Sequence, residues 1–255
     1  MVLRPTRRGF MTGILAGGAP LVLTGCDVFG LAQSPAVSEA LGSADGLARR
    51  VHRLLGGDVL APEFEAAEMS PVFRTNGNTM PSSPIYRALA NGGFKGWSLA
   101  IDGLVEQPRR FSLAEIMAMP SRTQITRHDC VEGWSAIGQW TGVPLGRLLG
   151  EAGLRPAARY VVFHCADDFD GSPYYESIDL AEAHHPQTIL AYAMNGAPLP
   201  IGHGAPLRLR VERQLGYKQA KYVMRLEIVA SLAGIGGGKG GYWEDAIGYD
   251  WYAGI

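Results

Sequence analysis

Cysteine is scarce in this sequence, and its few copies are scattered. The chain of 255 residues has 3 Cys, at positions 26, 130 and 165, and no two of them lie two or three residues apart. A zinc or iron–sulfur site needs several thiolates at short spacing, and a disulfide framework needs an even set of cysteines. The sequence therefore indicates neither of these, and it also has no Cys-x-x-Cys-His motif for haem attachment.

A large charge of one sign is also missing. The formal net charge is −1, so nothing global favours nucleic acid or an anionic membrane surface as a partner. Hydrophobic residues make up 47% and charged residues 18%, which is the balance of an ordinary globular domain. By contrast, 34 glycines and 16 prolines are many, and they predict frequent turns between short elements.

The apolar run near the N-terminus is too short to span a bilayer. It extends from Ile14 to Leu23, about half of what a spanning helix needs, and it follows the paired arginines Arg7 and Arg8. This pattern predicts that residues 1–26 are an export signal of the twin-arginine type, which carries folded proteins to the periplasmic side of the bacterial inner membrane. Leu23-Thr24-Gly25-Cys26 resembles a lipoprotein cleavage box and predicts lipidation of Cys26, with a plain anchor or a fortuitous cysteine as the alternative.

The remaining sequence divides into three segments. Residues 27–70 are rich in Ala, Gly and Glu and are predicted to form a linker with one peripheral helix. Strand and helix signals alternate over 71–233, which predicts a single α+β domain of short elements. Residues 234–255 combine glycine with aromatics, and because disordered tails are poor in aromatics we expect an ordered wrap that covers part of a cleft. The peripheral helix is predicted from the helical spacing of Leu47, Val51, Leu54 and Leu55.

Local signals place several elements of the central segment. Ser112 and Glu115 have the spacing of a capping box and predict a short helix that ends before Pro120. Residues 97–105 are predicted as two strand pieces around an Asp-Gly turn, and residues 124–129 as a strand that delivers Cys130 to its end.

The run Cys130-Val131-Glu132-Gly133-Trp134-Ser135 carries the most chemical information. Out of context, a lone cysteine is more often inert packing than a metal ligand. One thiolate suffices, however, when the rest of the metal's coordination shell comes from a chelating cofactor. The hexapeptide resembles the molybdenum-binding segment of the sulfite oxidase superfamily, most strongly its bacterial periplasmic reductase branch. The resemblance implies a sulfite-oxidase-type molybdopterin-binding domain, with Cys130 as the molybdenum ligand and Glu132 beside it at the catalytic centre.

Further positions follow from the same resemblance. Asn76, Thr79 and Met80 match residues that contact the pterin, although Asn76-Gly77 read alone is an ordinary turn. Cys165 stands where the family has a small polar residue, usually threonine, that contacts the cofactor. A packing thiol is the alternative there, and a disulfide between Cys130 and Cys165 would exclude the metal site.

A third block resembles the part of the family that binds the cofactor's phosphate. It comprises His203-Gly204-Ala205-Pro206-Leu207-Arg208 and Gly216-Tyr217-Lys218-Gln219-Ala220-Lys221. An arginine fork suits phosphate oxygens and a lysine adds a point charge, whereas a solvated strand face is the plain alternative for the arginine. The positions implied to bind cofactor here are His203, Arg208, Gln219, Ala220 and Lys221.

The resemblance implies a molybdenum–molybdopterin oxidoreductase that reduces S- or N-oxides, such as a small-molecule oxide or oxidised protein methionine. Its electrons would come from a separate partner, which in this branch is a membrane haem protein, and no nucleic acid is expected. The family's C-terminal immunoglobulin-like dimerisation domain is not recognisable, so we expect a monomer. Two alternatives remain: a sulfite dehydrogenase that works in the oxidising direction, and a cofactor-free surface lipoprotein that serves as a binding module.

Overall fold

The structure, a computed structural model, describes residues 46–47, 50–51 and 59–255. Leu47 and Val51 have helical backbone, in agreement with the predicted peripheral helix, whereas Leu54, Leu55 and Cys26 with the rest of the leader lie outside the described residues. Residues 50–51 and 59–255 belong to one compact unit, which contains every strand and the site residues named above. Within the described ranges, no helix has the length and apolar character needed to cross a membrane.

Ten strands in the described residues form two sheets. In chain order they are β1 (Ser98–Gly103), β2 (Arg109–Ser112), β3 (Arg122–Asp129), β4 (Ser135–Pro144), β5 (Tyr160–Phe169), β6 (Ser172–Asp179), β7 (Ile189–Met194), β8 (Ala197–Pro198), β9 (Arg208–Arg210) and β10 (Val223–Val229). The first sheet has the spatial order β2-β1-β10-β5-β6, and the second has β3-β4-β7-β8 with β9 also paired to β7. Only β1 and β10 run parallel among the described strand pairs.

Besides the helical backbone at residues 46–47 and 50–51, five short α-helices of the described chain lie before, between and after the strands. They are α1 (Pro84–Asn91), α2 (Leu113–Ala118), α3 (Leu145–Ala152), α4 (Leu180–Ala183) and α5 (Tyr242–Ile247), with 3-10 turns at Ala66–Glu68, Ile201–His203 and Gly216–Lys218. The predicted capping box at α2 is confirmed, because Ser112 Oγ accepts from Glu115 N at 3.2 Å and the Glu115 carboxylate accepts from Ser112 N at 2.7 Å. Two sheets with scattered short helices are the α+β architecture that the sequence predicts.

The core follows from the alternation of side chains along the strands. Successive residues of a strand point to opposite faces. On β7, Leu190 joins the large core cluster between the sheets, whereas its neighbours Ile189 and Ala191 join a second cluster around Trp140. All three β7 residues are fully buried, so the second sheet is covered on both faces.

The interpretation of residues 97–105 as two strand pieces was wrong. Residues 98–103 form one strand, β1, which pairs with β2 through a turn that lies after Gly103. Gly103 has φ 83° and passes so close to β10 that an added Cβ would lie 2.3 Å from the Ile228 carbonyl oxygen. Asp102 does not shape a turn; its carboxylate accepts from the Arg225 guanidinium of β10 at 2.8 to 3.0 Å.

Candidate active site

Cys130 lies in a closed turn directly after β3. Its backbone N–H donates to the Trp134 carbonyl at 2.9 Å, and the Gly133 N–H donates to the Cys130 carbonyl at 3.0 Å. Gly133 closes this turn with φ 83°, a conformation that glycine adopts without strain. The turn holds the Cys130 thiol at a fixed place at the end of the strand, as the sequence predicts.

The thiol of Cys130 is buried, with 7% of the residue exposed, and has one nearby amide donor. Asn76 Nδ2 lies 3.9 Å from Cys130 Sγ. Burial is the largest influence on the thiol and raises the pKa of Cys130; the Glu132 carboxylate acts in the same direction, while the Glu132 backbone N–H and the Asn76 amide oppose it. Neither Cys130 nor Cys165 forms a disulfide in the described part of the chain, so the Cys130–Cys165 alternative is not seen.

Cys130 opens onto a cavity of about 340 Å³. Of the predicted site residues, the cavity brings together Asn76, Cys130, Glu132, Gln219 and Lys221. The Glu132 carboxylate is exposed and accepts from Trp134 Nε1 at 3.0 Å, which orients it at the cavity edge. Residues from separate stretches of chain therefore meet around one sulfur.

Lys221 holds the walls of this cavity together. Its ammonium donates to the carbonyls of Asn76 at 2.7 Å and Gly202 at 3.0 Å, and also to that of Asn78. Burial, followed by the charge of Arg208, lowers the pKa of Lys221 to about 7. Lys221 thus connects the loop at 76–78 to the turn at 201–203. That it also binds a phosphate group of the cofactor stays a prediction.

Arg208 and His203 stand behind the cavity lining that the described residues form. The Arg208 guanidinium is buried, lies 4.8 Å from the Trp140 ring centroid and donates to the carbonyls of His203 at 3.0 Å and Gln219 at 3.3 Å. Burial lowers the pKa of Arg208 to about 9, and burial with the charge of Arg208 lowers the pKa of His203 to about 4. Arg208 thus joins the His203 turn to the Gln219 segment through their carbonyl groups. The N–H of Gln219 donates to Gly216 and the carbonyl of Ala220 accepts from Leu209.

Three predicted cofactor residues lie elsewhere in the described structure. Thr79 and Met80 are exposed and outside the lining of the Cys130 cavity. Cys165 lines a different, more open cavity together with Tyr86 and Asp168. Burial is the largest influence that raises the pKa of the Cys165 thiol well above its usual range. That Thr79, Met80 and Cys165 contact the cofactor stays a prediction, and their positions outside the Cys130 cavity do not favour it.

Several residues of the cavity escaped the sequence analysis as site residues. Asn78 and Asp167 add polar groups, and their side chains meet at 3.3 Å. Asp167 Oδ1 is buried without a hydrogen-bond partner among the described residues, and burial raises the pKa of Asp167 to about 6. The aromatic part of the lining consists of Phe169, Tyr174, Tyr217, Trp243 and Tyr249. The only sequence signal for the last two was the aromatic C-terminal segment predicted to cover a cleft.

A second cavity, of about 320 Å³, adjoins the other side chains of β3. Arg127 and Asp129 line it and pair with each other at 2.9 Å. The rest of its lining consists of Val59, Leu60, Ala61, Pro62, Phe64, Glu212, Arg213, Tyr252 and Ile255. Residues 61–70, which the sequence analysis places in a linker, lie along β3 and β4: Phe64 N donates to Ile125 and Ser70 N to Ile137.

Comparisons with known proteins agree on one family. Residues 88–233 match the family described as oxidoreductase molybdopterin binding domain. The chain is 36% identical to the putative protein-methionine-sulfoxide reductase subunit YedZ1 of Azospira oryzae. This match covers 98% of the chain and 88% of the relative. The chain is also 37% identical to the protein-methionine-sulfoxide reductase catalytic subunit MsrP of Xanthomonas campestris pv. campestris, over 53% of this chain and 46% of that one.

A solved structure supports the same fold. The sulfane dehydrogenase SoxCD from Paracoccus pantotrophus is 28% identical, with a TM-score of 0.50 over 54% of this chain and 39% of that one. The chain thus spans most of the Azospira relative but about half of MsrP. The sulfite-oxidase-type α+β fold predicted from the sequence is confirmed.

Proposed function

Because the chain belongs to the family of oxidoreductases with a molybdopterin-binding domain, we propose that it reduces methionine sulfoxide at a molybdenum–molybdopterin cofactor ligated by Cys130. Membership of this family makes the chain an enzyme, and it removes the support for a cofactor-free binding module. The observation that carries the proposal is the buried Cys130 thiol, which lines a cavity of about 340 Å³ together with Asn76, Gln219 and Lys221, in a chain similar to relatives named for this reduction.

The residues around Cys130 fit such a cofactor. A buried polar atom without a partner costs about 1–3 kcal/mol, so the unpaired Asp167 Oδ1 suits a ligand that donates N–H groups to the cavity, as a pterin does. The amides of Asn76 and Gln219 can both donate and accept, and Lys221 adds positive charge. We propose that these residues hold the pterin and that Cys130 holds the metal.

The bound cofactor supplies two-electron chemistry with transfer of an oxygen atom. The chain's own residues prepare the sulfur ligand. The turn from Cys130 to Gly133 fixes the thiol, and the Asn76 amide lies where it stabilises negative charge on Sγ. Because burial raises the pKa of the free thiol, the thiolate needs a cation beside it, and a metal ion deprotonates a coordinating thiol. Glu132 lines the same cavity and is the carboxylate that follows the sulfur ligand in the turn, so we propose that it moves protons.

The reaction consumes two protons and two electrons for each sulfoxide. The S=O bond breaks, the sulfur is reduced to the thioether, and the oxygen leaves as water with the two protons. We propose that a separate protein, a membrane haem protein by analogy with the resembled branch, supplies the electrons. A monomeric chain, export by the twin-arginine route and lipidation at Cys26 complete this proposal; they rest on the sequence pattern alone.

One observation favours a second candidate, which is oxidation of a reduced sulfur compound. The chain is similar in structure to a protein named as a sulfane dehydrogenase, and the sequence alternative was sulfite oxidation. Both directions use the same fold and cofactor, so the substrate decides between them.

The test is a pair of assays on the purified holoenzyme. With a reduced viologen dye as donor, we expect methionine sulfoxide to be consumed and methionine to form. The loss of dye colour measures the rate of this reaction. With ferricyanide as acceptor, we expect no oxidation of sulfite. Sulfite oxidation without sulfoxide reduction would replace the proposal with the second candidate.

A further inference from the structure

A buried chain of polar side chains runs from β9 to the cavity of Cys130. The Arg210 guanidinium, on β9, is fully buried and pairs with both carboxylate oxygens of Glu212, at 3.0 Å from Nε and 2.5 Å from Nη2. Its Nη1 lies 3.1 Å from His128 Nδ1, on β3. An arginine side chain has donors only, so His128 Nδ1 accepts this hydrogen bond. Glu212 therefore anchors the guanidinium, and the guanidinium fixes one nitrogen of the imidazole.

This hydrogen bond determines where His128 carries its proton. With Nδ1 as the acceptor, the neutral imidazole has its proton on Nε2, which is then a donor. His128 is 1% exposed, and its Nε2 has no hydrogen-bond partner among the described residues. Nε2 faces Gly216, where an added Cβ would lie 2.5 Å from it, and Gly216 lines the Cys130 cavity. The imidazole therefore presents an N–H to a segment that forms the cavity.

Gln219, three residues after Gly216, supplies the complementary acceptor. Its side chain interacts with the imidazole of His128, and its Oε1 is buried without a hydrogen-bond partner in the part of the chain that the structure describes. Its Nε2 donates to the Gln214 carbonyl at 3.3 Å. The flipped carboxamide would set N–H against N–H at His128. Oε1 is therefore the end that faces His128, and in the described structure the second N–H of Gln219 is left for the cavity that Gln219 lines.

We propose that Arg210 and His128 hold the Gln219 carboxamide as a hydrogen-bond donor toward the cavity, so that the cofactor places an acceptor atom against it. This inference rests on the proposed function and deepens it, because it assigns an orientation to the ligand of the same site: N–H groups at Asp167 and an acceptor at Gln219. The reversed ligand would leave buried donors facing each other and unpaired. Glu212, Arg210 and His128 are positioning residues, since they act through Gln219.

The first measurement reads the tautomer of His128 directly. Holoenzyme labelled with ¹⁵N in its histidines is studied by NMR, which distinguishes the ring nitrogen that carries the proton from the one that does not. The sequence has 6 histidines, so the signals of His128 are identified by their absence from His128→Asn. We expect the proton on Nε2. A proton on Nδ1 would overturn the inference, because Nδ1 could not then accept from Arg210.

The same spectrum tests the role of Arg210. Arg210→Lys keeps a cation for Glu212 but has a single nitrogen in place of the planar fork, so His128 Nδ1 should lose its donor. We expect the second tautomer of His128 to appear in this variant. An unchanged tautomer in Arg210→Lys would contradict a role of Arg210 in positioning the imidazole.

The second measurement is the rate at which the holoenzyme releases pterin, followed by the fluorescence of its oxidised form. His128→Asn keeps an acceptor for Arg210 but has no atom at the place of Nε2, so release should be about tenfold faster. His128→Gln has an N–H near that place and should recover most of the loss. Arg127→Met, which changes the exposed neighbour of His128 on the other face of β3, is the control and should release pterin at the natural rate.

The direction of the hydrogen bond is tested at Gln219 itself. Gln219→Glu keeps an acceptor for His128 but sets an acceptor instead of a donor against the ligand, so pterin release should be more than about tenfold faster. Gln219→Met, which has neither group, should release pterin at a rate between that of Gln219→Glu and the natural one. Release from Gln219→Glu that is no faster than from the natural sequence would overturn the inference.

Urea denaturation of each variant separates positioning from a general loss of structure. We expect the rate of pterin release to differ between His128→Asn and His128→Gln at similar unfolding free energies. Release at the natural rate from His128→Asn, or release that only follows the loss of stability, would overturn the inference. Failure of the proposed function looks different, because the natural sequence would then contain no pterin at all.

Discussion

Two cavities of nearly equal size flank the end of β3, at about 340 Å³ and about 320 Å³. The alternation of the strand separates them, because Arg127 and Asp129 line one while Cys130 lines the other. In the second cavity Arg127 and Asp129 pair with each other, and Arg213 pairs with Glu182. Volume therefore does not distinguish a binding site from a surface gap in this molecule.

The kinds of side chain that line them do distinguish the two cavities. The Cys130 cavity contains a free thiol approached by the Asn76 amide and a buried carboxylate oxygen of Asp167 with no partner in the described residues. Buried polar groups normally have partners, so such a set predicts a ligand. Substitutions at the Cys130 cavity should therefore have large effects, and substitutions at the second cavity should have small ones.

Replacement of the thiol should have the largest effect. Changes around a metal's ligands typically cost about 10- to 100-fold, so the loss of the ligand in Cys130→Ser should lower sulfoxide reduction by more than about 100-fold. Cys165→Ser is the matched control, because Cys165 lines another cavity, and it should keep activity within a few-fold. Similar losses in both variants, measured by dye-linked assay, would place the cofactor across both cavities.

The buried ion pairs that Lys218 makes with Glu176 and with Glu244 of α5 should come next. Lys218→Met leaves Glu176 and Glu244 buried without their cation, which should lower the free energy of unfolding by about 3–5 kcal/mol. Arg225→Met is the control, because its pair with Asp102 is more than a third exposed and should cost about 1 kcal/mol or less. Urea denaturation measures both, and equal losses would show that α5 is not fixed by burial of charge.

Asp167 gives a smaller, pH-dependent effect. Burial raises the pKa of Asp167 from 3.8 to about 6, so its contribution to stability is fully present below 3.8 and is lost as the pH rises through about 6. Relative to Asp167→Asn, the natural sequence should therefore lose up to about 3 kcal/mol of unfolding free energy across this window. Urea midpoints at about pH 3.5 and about pH 7.5 test it. Asp170 is exposed, so the Asp170→Asn control should keep the pH dependence of the natural sequence. If Asp167→Asn and Asp170→Asn showed the same pH dependence of the unfolding free energy, the burial of Asp167 would be contradicted.

The second cavity should be the least sensitive. Arg127→Met breaks an exposed ion pair, which is worth about 1 kcal/mol at most, and removes a side chain from that cavity only. We expect kcat/KM for methionine sulfoxide to stay within about twofold. A large loss would show that this surface also serves the reaction, for instance by receiving the electron donor.

Local signals in the sequence predicted the elements that depend on a few neighbouring residues. The capping box at Ser112 and the strand that delivers Cys130 to its end, β3, are both seen in the structure. The end of β1 was mispredicted, because Gly103 serves the close approach of β10 and not an Asp-Gly turn. That approach is a tertiary contact that no local pattern contains.

The site was predictable only where a motif is continuous in the chain. Cys130 and Glu132 stand in one hexapeptide, and the cavity contains both. Asp167 and Trp243 reach the cavity through strand pairing and a buried ion pair between distant segments, so spacing alone could not place them. Arg208 and Lys221 were predicted as groups that bind phosphate, yet their side chains donate to backbone carbonyls that shape the cavity.

The most direct test of a cofactor held by Cys130 is the cofactor content of the purified natural sequence beside Cys130→Ser. Protein from molybdenum-sufficient cells is analysed for molybdenum by elemental analysis and for pterin by the fluorescence of its oxidised form. We predict close to one molybdenum and one pterin per chain in the natural sequence, and molybdenum below about a tenth of an equivalent in Cys130→Ser. Molybdenum below that level in the natural sequence, or equal loading of the two proteins, would contradict this ligation.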